Sequence, residues 1–256
     1  MRLLFVAADP MEFPGILAKA HQARPERLPI NWARSAKLGE HQVLLAANGA
    51  GWNRAASVMD AAVGFRPDAV ISTGFCGGLE EDLKVGEIVV GTSVVKHEEG
   101  RLKISRQDGI LPPGVRPTYP TRQSESPSGQ GKHPRLRTRY GVVCSIDHVA
   151  QTSEEKSRLR STGACAVEME AAGVAERAQA MSLPFHCVKA ITDLAGETMA
   201  NDFNSALRSD GHFDTMLILR RSLRHPAVRV PELLRLRHRC VRAARALGDF
   251  FADCRF

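Results

Sequence analysis

The chain has 256 residues, 43% hydrophobic and 25% charged, which suits a single globular domain over residues 1–256 and excludes a disordered or fibrous class. The net charge of +7 is not spread along the chain: between residues 220 and 256 ten arginines stand against Glu232, Asp249 and Asp253, so the remainder is neutral and no nucleic-acid surface is expected. Six cysteines without a CxxC pair or metal-ligand spacing exclude a disulfide scaffold, suggest no metal, and fit a reducing cytoplasm.

The first apolar run, residues 3–8, is too short for a signal or membrane segment and predicts a buried strand. A helix over residues 14–21, a strand at 43–47, a helix at 53–63 and a strand at 69–73 follow. Further strands are expected at 87–95, 140–145, 164–167 and 185–191, the last two flanking a helix with apolar positions Met169, Ala172, Val174, Ala175 and Ala178. Such alternation predicts an α/β fold with a mixed sheet covered by helices. Residues 109–134 hold six of the fourteen prolines and can form neither a helix nor a central strand, which leaves a loop. Behind Pro231, taken as a first-turn residue, Leu233, Leu236, Cys240, Ala243 and Leu247 recur at helical spacing and predict a basic C-terminal helix. A solvated surface helix is the simpler account of its arginines; an anionic membrane surface or an acidic partner is the other.

Four segments have the residue types that chemistry needs. Asn48-Gly49-Ala50-Gly51-Trp52-Asn53 opens a helix with glycines, which serves either a tight turn or an anion at the helix N-terminus. Ser72-Thr73-Gly74-Phe75-Cys76-Gly77-Gly78-Leu79 places three glycines after a strand, where backbone must approach something closely. Val167-Glu168-Met169-Glu170-Ala171-Ala172 puts two carboxylates in an apolar junction, where each needs a cation or ligand hydroxyls. Asp193, in Lys189-Ala190-Ile191-Thr192-Asp193, reads alone as a turn or helix-capping aspartate.

In their order along the chain these segments, with Leu83-Lys84-Val85-Gly86-Glu87-Ile88-Val89-Val90, resemble the methylthioadenosine/adenosylhomocysteine nucleosidases and their purine nucleoside phosphorylase relatives. The resemblance covers residues 1–196. It implies a three-layer α/β/α sandwich around a twisted mixed sheet, no cofactor, a small-molecule nucleoside substrate and a homodimer or larger homo-oligomer. It also implies that Asp193 is the general acid at purine N7, that Glu170 binds the ribose hydroxyls beside Glu168, and that Met169 packs on the sugar. Glu12 falls where the hydrolases keep the glutamate that activates water; Val149 and Ala150 lie where backbone reads the base, with Phe75, Cys76 and Gly77 on its other side.

The chemistry explains these residue types. Cleaving the bond from ribose to base passes through an oxocarbenium-like sugar, so the base needs a proton and the ring needs negative charge nearby. Burial would favour the protonated form of an acid at position 193, while a carboxylate at 170 gains as positive charge develops on the ring. Two departures from the pattern leave the substrate open. Phe75 stands where serine is common, so Thr73 or Thr192 would have to orient the acid, and Arg54, where a small residue is usual, could hold phosphate. The arginine-rich helix also resembles the tail of hopanoid-associated phosphorylases, which act on an adenosyl lipid. Hydrolysis is therefore expected first, phosphorolysis second, and a non-catalytic nucleoside or nucleic-acid binder third.

Overall fold

The computed structural model describes residues 1–98, 101–103 and 137–254. In chain order the first elements are β1 (Arg2–Ala7), α1 (Pro14–Lys19), β2 (His21–Pro25), β3 (Trp32–Leu38), β4 (His41–Ala47), α2 (Trp52–Ala61), β5 (Ala69–Ser72) and β6 (Phe75–Gly78). Then come β7 (Ile88–Glu98), β8 (Arg101–Lys103), β9 (Thr138–Ser145), α3 (Ser153–Arg160), β10 (Ala164–Glu168) and α4 (Ala171–Ala180). The chain continues through β11 (Phe185–Asp193), α5 (Thr215–Ser222) and α6 (Pro226–Asp253).

The strands form one mixed sheet in the order β2-β3-β4-β1-β5-β11-β6-β10-β9-β7-β8. Strand β11 pairs in parallel with β5 and β6 and antiparallel with β7. Because β6, β10, β9 and β7 are also joined in succession, five strands close into a ring at one end of an otherwise open sheet. Asp193 ends the strand that belongs to both parts.

Both faces of the sheet are covered, as the alternation in β1 demonstrates. Leu4 and Val6 pack with Val58 and Met59 of α2 and Ala171, Val174 and Ala178 of α4. Leu3 and Phe5 face the other way, onto Ile16 of α1 and Leu247 and Phe251 of α6. Side chains at successive strand positions point to opposite faces, so a strand apolar throughout needs a helical layer on each side. The three-layer sandwich is thus realised.

Four expectations need correction. Helix α1 stops at Lys19, and His21 begins an exposed edge strand instead of ending the helix. Met169 precedes α4, which starts at Ala171. Asp193 is no turn or cap residue but the last residue of β11. Helix α6 begins at Pro226, so Pro231 lies inside it and not in its first turn. A proline there lacks an N–H to continue the helical ladder, and that half of the helix is largely exposed and arginine-rich. The second half is core: Cys240, Ala243, Leu247, Phe250 and Phe251 are buried, and Gly248 meets the Gly15 carbonyl so closely that a side chain has no room. The basic tail is therefore half a layer of the sandwich. The proline-rich stretch 109–134 lies outside the described residues.

Candidate active site

The site assembles where the first turn, the glycine-rich β6 and the ends of β10 and β11 converge. Glu12 closes a single 3-10 turn, Pro10–Glu12, capped by Asp9. Its carboxylate folds back to accept the Ala8 and Asp9 amides at 2.8 and 3.0 Å, and its other oxygen accepts the Phe75 amide at 2.7 Å. Gly74, at φ +113°, makes this approach possible, since a Cβ there would collide with the Glu12 carboxylate. The close approach that the glycines foretold is to the site's own acids.

Lys189 is the hub. It lies within β11, completely buried, with Nζ 2.7 Å from Glu168 Oε2 and 3.3 Å from Glu170 Oε2, and it donates to the Thr73 carbonyl at 2.9 Å. Glu168 is fully engaged by the protein: beyond Lys189 it accepts from the Ser145 hydroxyl and from the Glu170 and Ala171 amides at 3.0 and 2.9 Å. Burial opposes its charge, but Lys189 and these donors win and hold it below the usual carboxylate range. It anchors the lysine from the β10 end.

Glu170 is held loosely by comparison, through Lys189 at 3.3 Å and the Gly51 amide at 3.4 Å. Burial, checked by Lys189 and reinforced by Glu168 and Glu12, pushes its carboxyl up to about 8. Burial also raises Glu12, against the pull of Lys189. The group that the glycine turn at 48–53 faces is thus the Glu170 carboxyl, with Gly51 as the α2 cap. Met169 is buried between the two glutamates in sequence.

At the other end Asp193 Oδ2 takes a hydrogen bond from Lys156 Nζ of α3 at 2.5 Å, and Oδ1 accepts from the Thr192 hydroxyl at 3.0 Å. Of the two threonines expected to orient the acid, Thr192 does so, while Thr73 Oγ1 is buried without a hydrogen-bond partner among the described residues. Gly77 lies against Asp193, where a Cβ would come within 2.8 Å of Oδ2, and Cys76 is buried beside it. Asp193 opens on a cleft of about 530 Å³ that Glu197, Phe203, Glu232, Arg235 and Arg239 also line. Arg239 forks onto Glu197 with bonds of 2.6 and 2.7 Å.

Three remaining candidates are otherwise occupied. Val149 spends its amide and carbonyl on the Asn204 side chain, at 2.7 and 2.9 Å, so Asn204 stands where the base was expected to be read. Ala150 is buried next to it. Arg54 donates to the Ser209 carbonyl and packs on Gly211, which ties it to that loop. Among the described residues no group of three or more His, Cys, Asp and Glu side chains is arranged to hold a metal ion. Sequence reasoning missed both lysines as site residues. Lys189 had a signal, as a lone cation inside an apolar strand, whereas Lys156 in Glu154-Glu155-Lys156 reads as an ordinary solvated helix face.

A sequence model of the family described as the phosphorylase superfamily matches residues 2–214. A 5′-methylthioadenosine/S-adenosylhomocysteine nucleosidase of Mycobacterium bovis is 29% identical over 229 residues, covering 78% of this chain and 88% of that protein. One from Oceanobacillus iheyensis is 30% identical over 159 residues, covering 60% and 69%. Among solved structures, the Campylobacter jejuni nucleosidase of the same name superposes with a TM-score of 0.66 at 16% identity over 98% of this chain and 97% of that one. A futalosine hydrolase mutant of Helicobacter pylori gives the same TM-score and identity over 99% and 97%. With the family pattern matched from residue 2 to residue 214 and its fold spanning nearly the whole chain, this protein belongs to the phosphorylase superfamily.

Proposed function

We propose that this protein hydrolyses the N-glycosidic bond of a purine nucleoside of the adenosyl type, such as methylthioadenosine or adenosylhomocysteine, and releases the free base. The observation that carries the choice of water over phosphate is the make-up of the Lys189 cluster: three buried glutamates, Glu12, Glu168 and Glu170, around one ammonium that is already paired with Glu168. Phosphate would find this cation already engaged and buried acids beside it, while a neutral water and a ring gaining positive charge are both favoured. Glu12, fixed by three amides, takes the proton of the attacking water. Glu170 holds the ribose hydroxyls with Met169 against the sugar, and Asp193 delivers a proton to the purine, which lies along Cys76 and Gly77. The relatives' names support the same activity.

The test is base release from methylthioadenosine, adenosylhomocysteine, adenosine and inosine, with and without phosphate, and identification of the sugar. Free sugar without phosphate is expected, and Asp193→Asn should slow the reaction by about 10²-fold or more. Sugar 1-phosphate as the product would overturn the reading.

The outer surface of α5 and the first half of α6 is the peripheral contact in this proposal. No described helix is long and apolar enough to cross a membrane. Yet Met216, Leu219 and Leu223 recur at helical spacing and are exposed, with Arg220, Arg221 and Arg224 interleaved. An apolar stripe edged by cations suits an anionic bilayer surface. Sedimentation with phosphatidylglycerol vesicles should carry the protein down at low salt, and replacing the three apolar residues with serine should release it. Equal sedimentation of that variant overturns the assignment.

A further inference from the structure

Lys156 is completely buried, and the chemistry proposed for Glu12, Glu170 and Asp193 leaves it without a task. Its Nζ donates to Asp193 Oδ2 at 2.5 Å, to the Leu194 carbonyl at 2.8 Å and to the Glu197 carbonyl at 3.5 Å. Three acceptors match the three hydrogens of an ammonium; a neutral amine would leave one of them unserved. The other Asp193 oxygen accepts from Thr192. A carboxyl that accepts on both oxygens, one of them from an ammonium, has both oxygens committed as acceptors, so the proton for a departing purine has to reach it from a neighbour.

The remaining groups facing Asp193 do not supply that proton. Cys76 comes from β6 and Cys240 from α6, and burial pushes both thiols up, that of Cys240 to about 12. Arg239 of α6 and Glu197 of the following loop are spent on each other. Among the described residues, Lys156 is the one ionisable group that hydrogen-bonds to the acid.

We propose that Lys156 is a positioning residue for departure of the base, acting through Asp193: it fixes the carboxyl and supplies the proton that leaves on the purine. The inference rests on reading Asp193 as the general acid. As the C1′–N9 bond breaks, its electron pair passes into the purine. An Nζ–H bond of Lys156 breaks and an O–H bond forms on Asp193, whose carboxyl passes a proton to N7. The neutral amine regains its proton from water after the base leaves. Glu12 sheds to solvent the proton it took from the attacking water, so charge and atoms balance over a turnover.

The experiment compares two leaving groups on one sugar: methylthioadenosine and the 4-nitrophenyl glycoside of the same 5′-methylthioribose, whose nitrophenoxide departs without a proton. Lys156→Met should slow the purine substrate by about 10²-fold or more through kcat and affect the nitrophenyl glycoside far less. Lys156→Arg, which keeps a charged donor, should recover part of the loss. Should Lys156→Met fold poorly, Lys156→Gln gives the same comparison. Equal slowing of both substrates would make Lys156 merely structural and overturn the proposal. So would equal turnover of the purine substrate by variant and parent. Asp193→Asn is run alongside: if it is selective for the purine while Lys156→Met is not, the lysine proposal alone fails. If Asp193→Asn is not selective, the acid itself is misassigned and the reading of the site fails with it.

Discussion

The two ends of the site are built from the same materials, buried carboxylates and a fully buried lysine, but with different charge balance. Around Lys189 three glutamates share one ammonium, so the proposed sugar end has more acids than cations and Glu170 keeps its proton up to about pH 8; around Lys156 a single aspartate has an ammonium to itself. The first arrangement suits holding a cation that exists only in the transition state. The second suits moving a proton, since neither partner need ever be left charged alone. One strand, β11, carries the hub of the first end and the acid of the second, Lys189 and Asp193, on opposite sides of three intervening residues.

The contrast should vanish altogether when the element both ends lean on is removed. Helix α6 packs Gly248 on Gly15 just after the Glu12 turn and ties Arg239 to Glu197 beside Asp193. It also buries Leu247, Phe250 and Phe251, each worth about 1.5–3 kcal/mol, against a total stability of about 5–15 kcal/mol. A chain ending at Arg224 should therefore be insoluble or unfolded by circular dichroism, at both ends alike. A soluble, active truncation would show the helix to be an appendage.

Next in size is Lys189→Met. It leaves Glu168 buried with no cation, and breaking such a pair costs about 3–5 kcal/mol, to be read from urea unfolding. Adding Glu168→Gln should recover a large part of that loss, because the uncompensated charge goes with it. Without recovery, the glutamate is not the lysine's partner in stability.

Much of this architecture is legible in the amino-acid sequence, and the exceptions share a physical cause. Strands such as 69–73 and 185–191 announce themselves because both faces are covered and every residue is apolar or nearly so. Strands β2 and β3 do not, since an exposed edge strand such as His21-Gln22-Ala23-Arg24-Pro25 buries nothing. The acids are legible through motif order. Their cations are not: Lys189 shows only as an anomaly in an apolar run, and Lys156 lies in a short helix of mostly charged residues that only tertiary packing distinguishes from Arg158. The pairing of Glu168 is hidden for the same reason, as its partner is a lysine well removed along the chain.

Gly77→Ala disturbs one end and spares the other. The new Cβ would sit 2.8 Å from Asp193 Oδ2 and 3.1 Å from Val167 Cγ1, so the carboxyl must move off Lys156. A displacement approaching ~1 Å costs about 10²-fold in rate. Purine release should fall by that order in a steady-state assay, while the Lys189 cluster and the melting temperature change little. A large drop in melting temperature instead would mean the strain spreads into the β6–β10 pairing.

The smallest effect tests the surplus charge itself. Glu170 has its carboxyl raised to about 8, chiefly by burial, from an ordinary value of 4.5. The native state therefore binds this proton more tightly than the unfolded chain does. Stability from this group is fully present below the unfolded value and is lost as pH rises through about 8. Each pH unit in that window can cost up to about 1.4 kcal/mol. Glu170→Gln keeps the shape and cannot ionise, so it should melt above the parent at about pH 9. At about pH 5, where the parent carboxyl is protonated, the two should melt together. The same variant should lose most of its turnover, because the negative charge that burdens the folded protein is the charge the oxocarbenium-like sugar needs. If Glu170→Gln is no more stable than the parent in alkali, the sugar end holds no surplus charge, and the contrast between the two lysines disappears.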